Sequence, residues 1–417
     1  MVLFDFVKKY QRLDNILSVL LLAVFFVLIL DLAISKGMYK ICIVSIQGIV
    51  SIQLLRMLCF YFKKQVQALP SYGMLIAISI PIMFIVLDSV LIDGVSQRYY
   101  IKNLKIAVFI ILAIWMIPLD FLTKNSKLFL YSLLTLLFLA SSSNLIAVVF
   151  YSFHRIGLTS NPHYLALQAI LVIPVAVYLL NQVNLVGKVL LIVIVTMELY
   201  LLMESFSRTA WLAFFVGSLV SIPFFSFKTR LMAVGGILLI PLTVYYFGVL
   251  GVLGVDERLN DLINNLVREE RVTIWADALV MQQESNWFQW LLGHGLGGFE
   301  PGFQTFSHYH GRVDFTTPHN FLIEILYTSG IIGISLVVIG EGVFVFSLLK
   351  LYWNTKYDSQ KTLVVLVLVL LVMLFIHTFL TISFFAKQST YFLAMIIGLG
   401  FYLFKREKYL MGFIHGK

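Results

Sequence analysis

The chain has 417 residues, of which 60% are hydrophobic and only 12% charged, and its mean hydropathy is +0.95. Soluble domains carry about a quarter charged residues, so this composition excludes an ordinary soluble enzyme and points to a membrane protein. The net charge of +9 sits mostly at the ends of apolar stretches, where membrane topology and anionic headgroups place it, and this argues against a nucleic-acid partner.

A membrane-spanning helix needs about 20 largely apolar residues. In chain order the candidate cores are 15–34, 41–60, 72–92, 106–122, 128–150 and 164–180, then 186–203, 211–227, 231–253, 331–349, 363–385 and 391–404. The first is long enough to span and lacks a small-residue cleavage site, so it reads as a retained helix. Cys42 and Cys59, the only cysteines, lie in one apolar segment and supply neither a disulfide framework nor a thiol metal site. The expected fold is an all-α, polytopic integral membrane protein of about 12 transmembrane helices, with one large extracytoplasmic loop between spans 9 and 10. Residues 1–250 would form a bundle of about nine spans, 251–330 the loop with its amphipathic helices, and 331–417 about three further spans.

Lys and Arg in the short loops set the orientation. One set of loops holds Lys8, Lys9, Lys63, Lys64, Lys124 and Lys127 early in the chain and Lys350, Lys356, Lys405 and Arg406 late in it. The alternate set is about half as rich in basic residues, so the first set and both termini are expected in the cytoplasm. The segment 254–318 then lies outside, and its own arginines do not reverse this, because long loops cross largely regardless of charge.

Three polar clusters fall on that outer side. Ser207-Arg208-Thr209-Ala210-Trp211 places an arginine among hydroxyls at a span junction, where it can offer a planar fork to a phosphate or snorkel to the headgroups. Arg271-Val272-Thr273-Ile274-Trp275 opens a segment in which Val272, Trp275, Ala276, Leu279 and Val280 recur at helical spacing. That pattern predicts an amphipathic helix on the membrane surface or capping the bundle, with Arg271 at its N-terminal end as an anion ligand or a solvated charge. Pro318-His319-Asn320 followed by Glu324 and Gly330 reads as a helix start and then a break before the next span. There His319 can act as a base on a hydroxyl or simply cap a helix end.

Two further motifs point elsewhere. The run from Gly293 to Gly298 fits G-x-G-x-x-G without the strand–helix unit that a nucleotide fold requires, so a flexible turn under the site is the expectation. His308 and His310, with His319, lack a fourth ligand pattern, so no metal is expected. Asp31, Asp88, Glu198, Glu204 and Glu341 lie in or near spans as functional groups or as paired ones.

Taken in order, the Ser-Arg-x-Ala-Trp run at Ser207, Arg271 with Trp275, the Gly-His-Gly-Leu-Gly turn and the Pro-His-Asn…Gly-Ile-Ile-Gly run resemble the shared region of the O-antigen ligase and polysaccharide polymerase family. Asn161-Pro162-His163-Tyr164 is similar to the outer entry to a span in that family, and Thr209 stands where glycine is common. The resemblance implies an inverting membrane glycosyltransferase of the bacterial cytoplasmic membrane that works without metal or cofactor. Its donor would be an undecaprenyl-pyrophosphate-linked glycan, and its acceptor another glycan or lipid A–core, with a flippase and a chain-length regulator as partners. His319 would be the base, Arg208 and Arg271 would hold the donor pyrophosphate, and Asn320 and Glu324 would support them. A polymerase is the first expectation, with an O-antigen ligase as the alternative and a transporter or flippase as the more distant one.

Overall fold

The computed structural model describes residues 39–56, 72–91, 97–117, 126–150, 161–224 except 206, 270–306, and 317–415 except 382 and 384, with a few positions between 16 and 24. All regular structure among them is helical. The helices are α1 (Tyr39–Arg56), α2 (Tyr72–Leu91), α3 (Gln97–Met116), α4 (Ser126–Phe150), α5 (Pro162–Leu179), α6 (Leu185–Glu204) and α7 (Arg208–Ser221). After them come α8 (Glu270–Gln283), α9 (Trp287–Leu292), α10 (Phe299–Phe306), α11 (Phe321–Asn354), α12 (Asp358–Leu380) and α13 (Lys387–His415).

The expected all-α class holds, but the count of about twelve spans does not. Among the described residues five helices are long and apolar enough to cross a membrane: 130–149 of α4, and α5, α6, α11 and α12. Periodicity windows count every apolar stretch, whereas the structure divides the chain differently. The stretch beginning at Trp211 belongs to the 14-residue α7, which tightens into a 3-10 turn at Ile222–Phe224. Helix α3 opens with Gln97, Arg98, Lys102 and Lys105, and α13 closes with Lys405, Arg406, Glu407 and Lys408, so length alone does not make either one apolar throughout. The expected spans 15–34 and 231–253 lie outside the described residues, apart from isolated positions in the first.

The bundle is organised by long helix–helix contacts: α13 along α3, α11 along α2, α7 along α12, and α5 along α6. Helix α12 is the hub. Val364, Val367, Leu368, Leu371 and Met373 are buried, in keeping with a helix apolar on all sides. Close approach needs small residues. A Cβ on Gly340 would collide with the Ala77 carbonyl of α2, and one on Gly217 with the Met373 side chain of α12. Between α4, α5 and α6, Ser141 and Gln168 donate to Glu198 Oε1 at 2.6 and 3.1 Å, and Asn144 donates to Gln168 at 3.0 Å. Glu198 is therefore interhelical glue. Helices α2, α3, α11, α12 and α13 line an apolar, half-open pocket whose wall includes Ile85, Leu104, Val337 and Glu341.

Candidate functional site

Residues of the three polar clusters expected on the outer side meet at one place, the C-terminal end of α12. The last carbonyls of a helix have no partner within it and carry partial negative charge. Arg271 Nη1 donates to the Leu380 carbonyl at 3.0 Å, and His319 Nδ1 lies 3.0 Å from the carbonyl of Thr381. Two consecutive carbonyls thus anchor a guanidinium from the loop and an imidazole from the entry to α11. A carbonyl only accepts, so His319 carries its proton on Nδ1, and Nε2 is the nitrogen with the lone pair.

The backbone of His319 is itself unusual. Its φ of 52° is the only positive value for a non-glycine among the described residues, a conformation that costs about 1–3 kcal/mol and tends to persist where its surroundings enforce it. Those surroundings can be named. Trp275 Nε1 of α8 donates to the Pro318 carbonyl at 2.9 Å. Asn320 caps α11, accepting from Leu322 and Ile323 backbone N–H groups at 3.0 and 3.2 Å. One side is held by α8, the other by the helix that follows. Trp275→Phe keeps the ring and removes the bond, worth about 1 kcal/mol; transfer should fall about fivefold with the protein still folded, as rate assays and thermal unfolding of one preparation would test.

From the opposite side, α7 and α5 close the corner. The Thr381 hydroxyl forms a short hydrogen bond with Thr209 Oγ1, beside Arg208 at the start of α7. Thr209 Oγ1 is 3.1 Å from Ser207 Oγ, which is 3.4 Å from His163 Nδ1. His377 Nε2 of α12 donates to the His163 carbonyl at 3.0 Å. Arg208 is exposed at its helix start. The N-terminal ends of α5, α7 and α11 therefore converge here, and helix N-termini favour anions.

Glu324, nearly fully buried, accepts a short hydrogen bond from Ser383 and so ties α11 to the connection between α12 and α13. The glycine run forms a hydrogen-bonded turn. Gly293, Gly295 and Gly297 take positive φ, and the His294 and Gly295 N–H groups donate to the Tyr327 and Thr328 carbonyls at 2.8 and 2.9 Å. The His294 ring stacks on Tyr327, 4.2 Å between centroids, and its Nε2 lies 2.7 Å from Ser285 Oγ. The expected break in α11 falls at Gly330, with φ 62° and ψ −168°. A Cβ there would overlap the Leu291 carbonyl, so Gly330→Ala should destabilise the protein by about 2 kcal/mol or more, read as a lower midpoint of thermal unfolding in detergent.

Helix α8 carries two apolar faces. The expected one, with Val272, Leu279 and Val280, points outward at about 40% exposure. The face that sequence periodicity did not single out, Ile274, Ala278 and Met281, packs on Phe299, Phe303 and Tyr327.

Burial lowers the pKa of His319 below the ordinary histidine value of 6.5 and Arg271 lowers it further, while the bond to Thr381 acts in the opposite sense. The neutral imidazole is thereby favoured at neutral pH. Burial lowers His294 as well. A reaction that uses neutral His319 as a base is lost as pH falls through the lowered pKa, so the acid limb of kcat/KM should lie below pH 6.5. His319 titration observed at or above 6.5 would contradict this environment.

A family model described as O-antigen ligase matches residues 189–338. The chain carries an O-antigen ligase domain over part of its length. No curated protein matches the chain. The ligase domain contains Arg208, Arg271, Trp275, His319 and Glu324, while His163, His377 and Thr381, which complete the corner, lie on α5 and α12 outside it. Those three were not singled out as site residues in the sequence. His163 stood in the Asn161-Pro162-His163-Tyr164 run, and the signal for the other two was a histidine and two hydroxyl residues closing an otherwise apolar run at His377, Thr378 and Thr381. Among the described residues no group of three or more His, Cys, Asp or Glu is placed to hold a metal ion; His308 and His310 lie outside them.

Proposed function

We propose that the protein is a membrane glycosyltransferase that moves a glycan from a polyprenyl-pyrophosphate donor to a sugar hydroxyl at the outer face of the bacterial cytoplasmic membrane. The observation that carries this is the anchoring of Arg271 and His319 on the consecutive carbonyls of Leu380 and Thr381, with Arg208 brought alongside by the Thr209–Thr381 bond.

Each part has a chemical reason. A pyrophosphate leaving group develops charge as the glycosidic C–O bond breaks, and guanidinium groups with helix N-termini neutralise it without a metal. His319, with its proton held on Nδ1, takes the acceptor hydroxyl proton on Nε2 as the new C–O bond forms. The donor's anomeric carbon exchanges its bond to the pyrophosphate oxygen for one to the acceptor oxygen, the proton ends on His319, and polyprenyl pyrophosphate departs. One displacement inverts the anomeric centre. The apolar lining of the pocket between α2, α3, α11, α12 and α13 suits part of an isoprenoid chain, and Ile85, Leu104 and Val337 in its wall pack in one cluster with Phe321 and Phe385 next to the site.

The matched domain is described as O-antigen ligase, and this favours lipid A–core as acceptor over a second lipid-linked repeat unit, the polymerase reading suggested first by sequence. Proteoliposomes holding the purified protein and a lipid-linked repeat unit separate the two. A ligase yields product only when lipid A–core is added, whereas a ladder of longer lipid-linked chains without it would make the protein a polymerase.

A further inference from the structure

We infer that His163 is a further donor-binding residue, presenting an N–H to the pyrophosphate from the α5 side of the corner. The inference rests on the glycosyltransferase reading above and adds a ligand that lies outside the matched domain.

Three observations carry it. First, His163 sits in the first turn of α5, after the cap Asn161, whose side chain accepts from the His163 N–H at 2.9 Å. The imidazole thus belongs to the capped first turn of the helix. Second, a line of hydroxyls reaches one nitrogen of the ring. Thr209 Oγ1 bonds Thr381 and lies 3.1 Å from Ser207 Oγ and 3.4 Å from His377 Nδ1, and Ser207 Oγ lies 3.4 Å from His163 Nδ1. When Ser207 donates to Nδ1, the proton of the neutral ring is on Nε2. That nitrogen has no hydrogen-bond partner in the protein among the described residues, although the ring is only partly exposed. Third, Arg271 and His319 lie within electrostatic reach of the ring, and His377 fixes its backbone through the His163 carbonyl. Thr381 thus reaches both rings: its carbonyl holds His319 with a basic Nε2, and its hydroxyl begins the line of contacts that ends at His163 Nδ1.

The test compares His163→Ala, His163→Gln and His163→Asn in reconstituted vesicles with the lipid-linked donor, measuring KM for donor and acceptor separately, and inhibition by inorganic pyrophosphate. Glutamine can place an amide N–H near the Nε2 position, and asparagine cannot. We expect His163→Ala to raise the donor KM about tenfold or more and to weaken pyrophosphate inhibition in parallel, with the acceptor KM unchanged. His163→Gln should recover most of the loss and His163→Asn little of it. Equal effects of glutamine and asparagine, or a change confined to the acceptor KM, would overturn the assignment, and the glutamine–asparagine pair decides it even if the alanine variant does not fold. Transfer by the wild-type protein with no effect of any substitution would defeat this inference alone. Wild-type protein inactive with donor and acceptor would defeat the glycosyltransferase reading, and this inference with it.

Discussion

His319→Ala is expected to reduce glycan transfer by about 10²–10⁴-fold, the usual worth of a positioned general base, while leaving binding of the lipid-linked donor within about threefold of wild type. The split follows from the structure. His319 is held by its own Nδ1–H bond to Thr381 and by the flanking Pro318 and Asn320 contacts, and none of these reaches Arg271. Removing the imidazole leaves the guanidinium on Leu380 where it was. It also puts an alanine at a positive φ, a conformation that a residue with a Cβ adopts at a cost, so unfolding of the variant must be measured beside its activity. A folded variant that binds donor and does not transfer is the expected result. Transfer at near wild-type rate would remove His319 from the chemistry and leave it a helix-entry residue.

Substitution of the arginines should act on the other half of the reaction. Arg271→Lys keeps the charge but loses the planar fork, and a single ammonium cannot both hold the Leu380 carbonyl and address a phosphate in that geometry. Hydrogen bonds to charged groups contribute about 1.5–3 kcal/mol each, so the loss in kcat/KM should be about ten- to a hundredfold, mostly in the donor. The same substitution at Arg208 should fail in the same way, for Arg208 starts α7 next to the Thr209–Thr381 bond. Kinetics at varied donor concentration check this. An Arg208→Lys variant with wild-type kinetics would return Arg208 to the role of a headgroup anchor.

Much of this corner was legible in the sequence because its parts are local signals. A proline, a histidine and an asparagine before an apolar run mark a helix entry wherever they occur, and the structure starts α11 one residue later. Gly330 announced a break and made one. Arg271 was found because a charge at the start of an amphipathic segment is conspicuous. What could not be read was the platform on which they rest. Leu380 and Thr381 act through backbone carbonyls, and any residue has a carbonyl; only the end of α12 makes those two available, and the apolar run through Phe385 concealed that end. His377 is a lone histidine in an apolar run, and its bond to the His163 carbonyl joins helices more than 200 residues apart in sequence. The number of spans was misjudged for the opposite reason. Hydropathy is summed over windows and does not know where a helix such as α7 stops, or that α3 and α13 mix charged turns with apolar ones.

The most direct test of the account is acceptor-dependent release of polyprenyl pyrophosphate by the purified protein in proteoliposomes, with lipid-linked glycan as the only donor, no nucleotide, and a chelator present. The account expects free polyprenyl pyrophosphate to appear in step with glycosylated acceptor, and neither product with His319→Ala. Lipid-linked glycan that stays intact with the native donor and acceptor, or that only changes leaflet, would contradict it and make the protein a transporter.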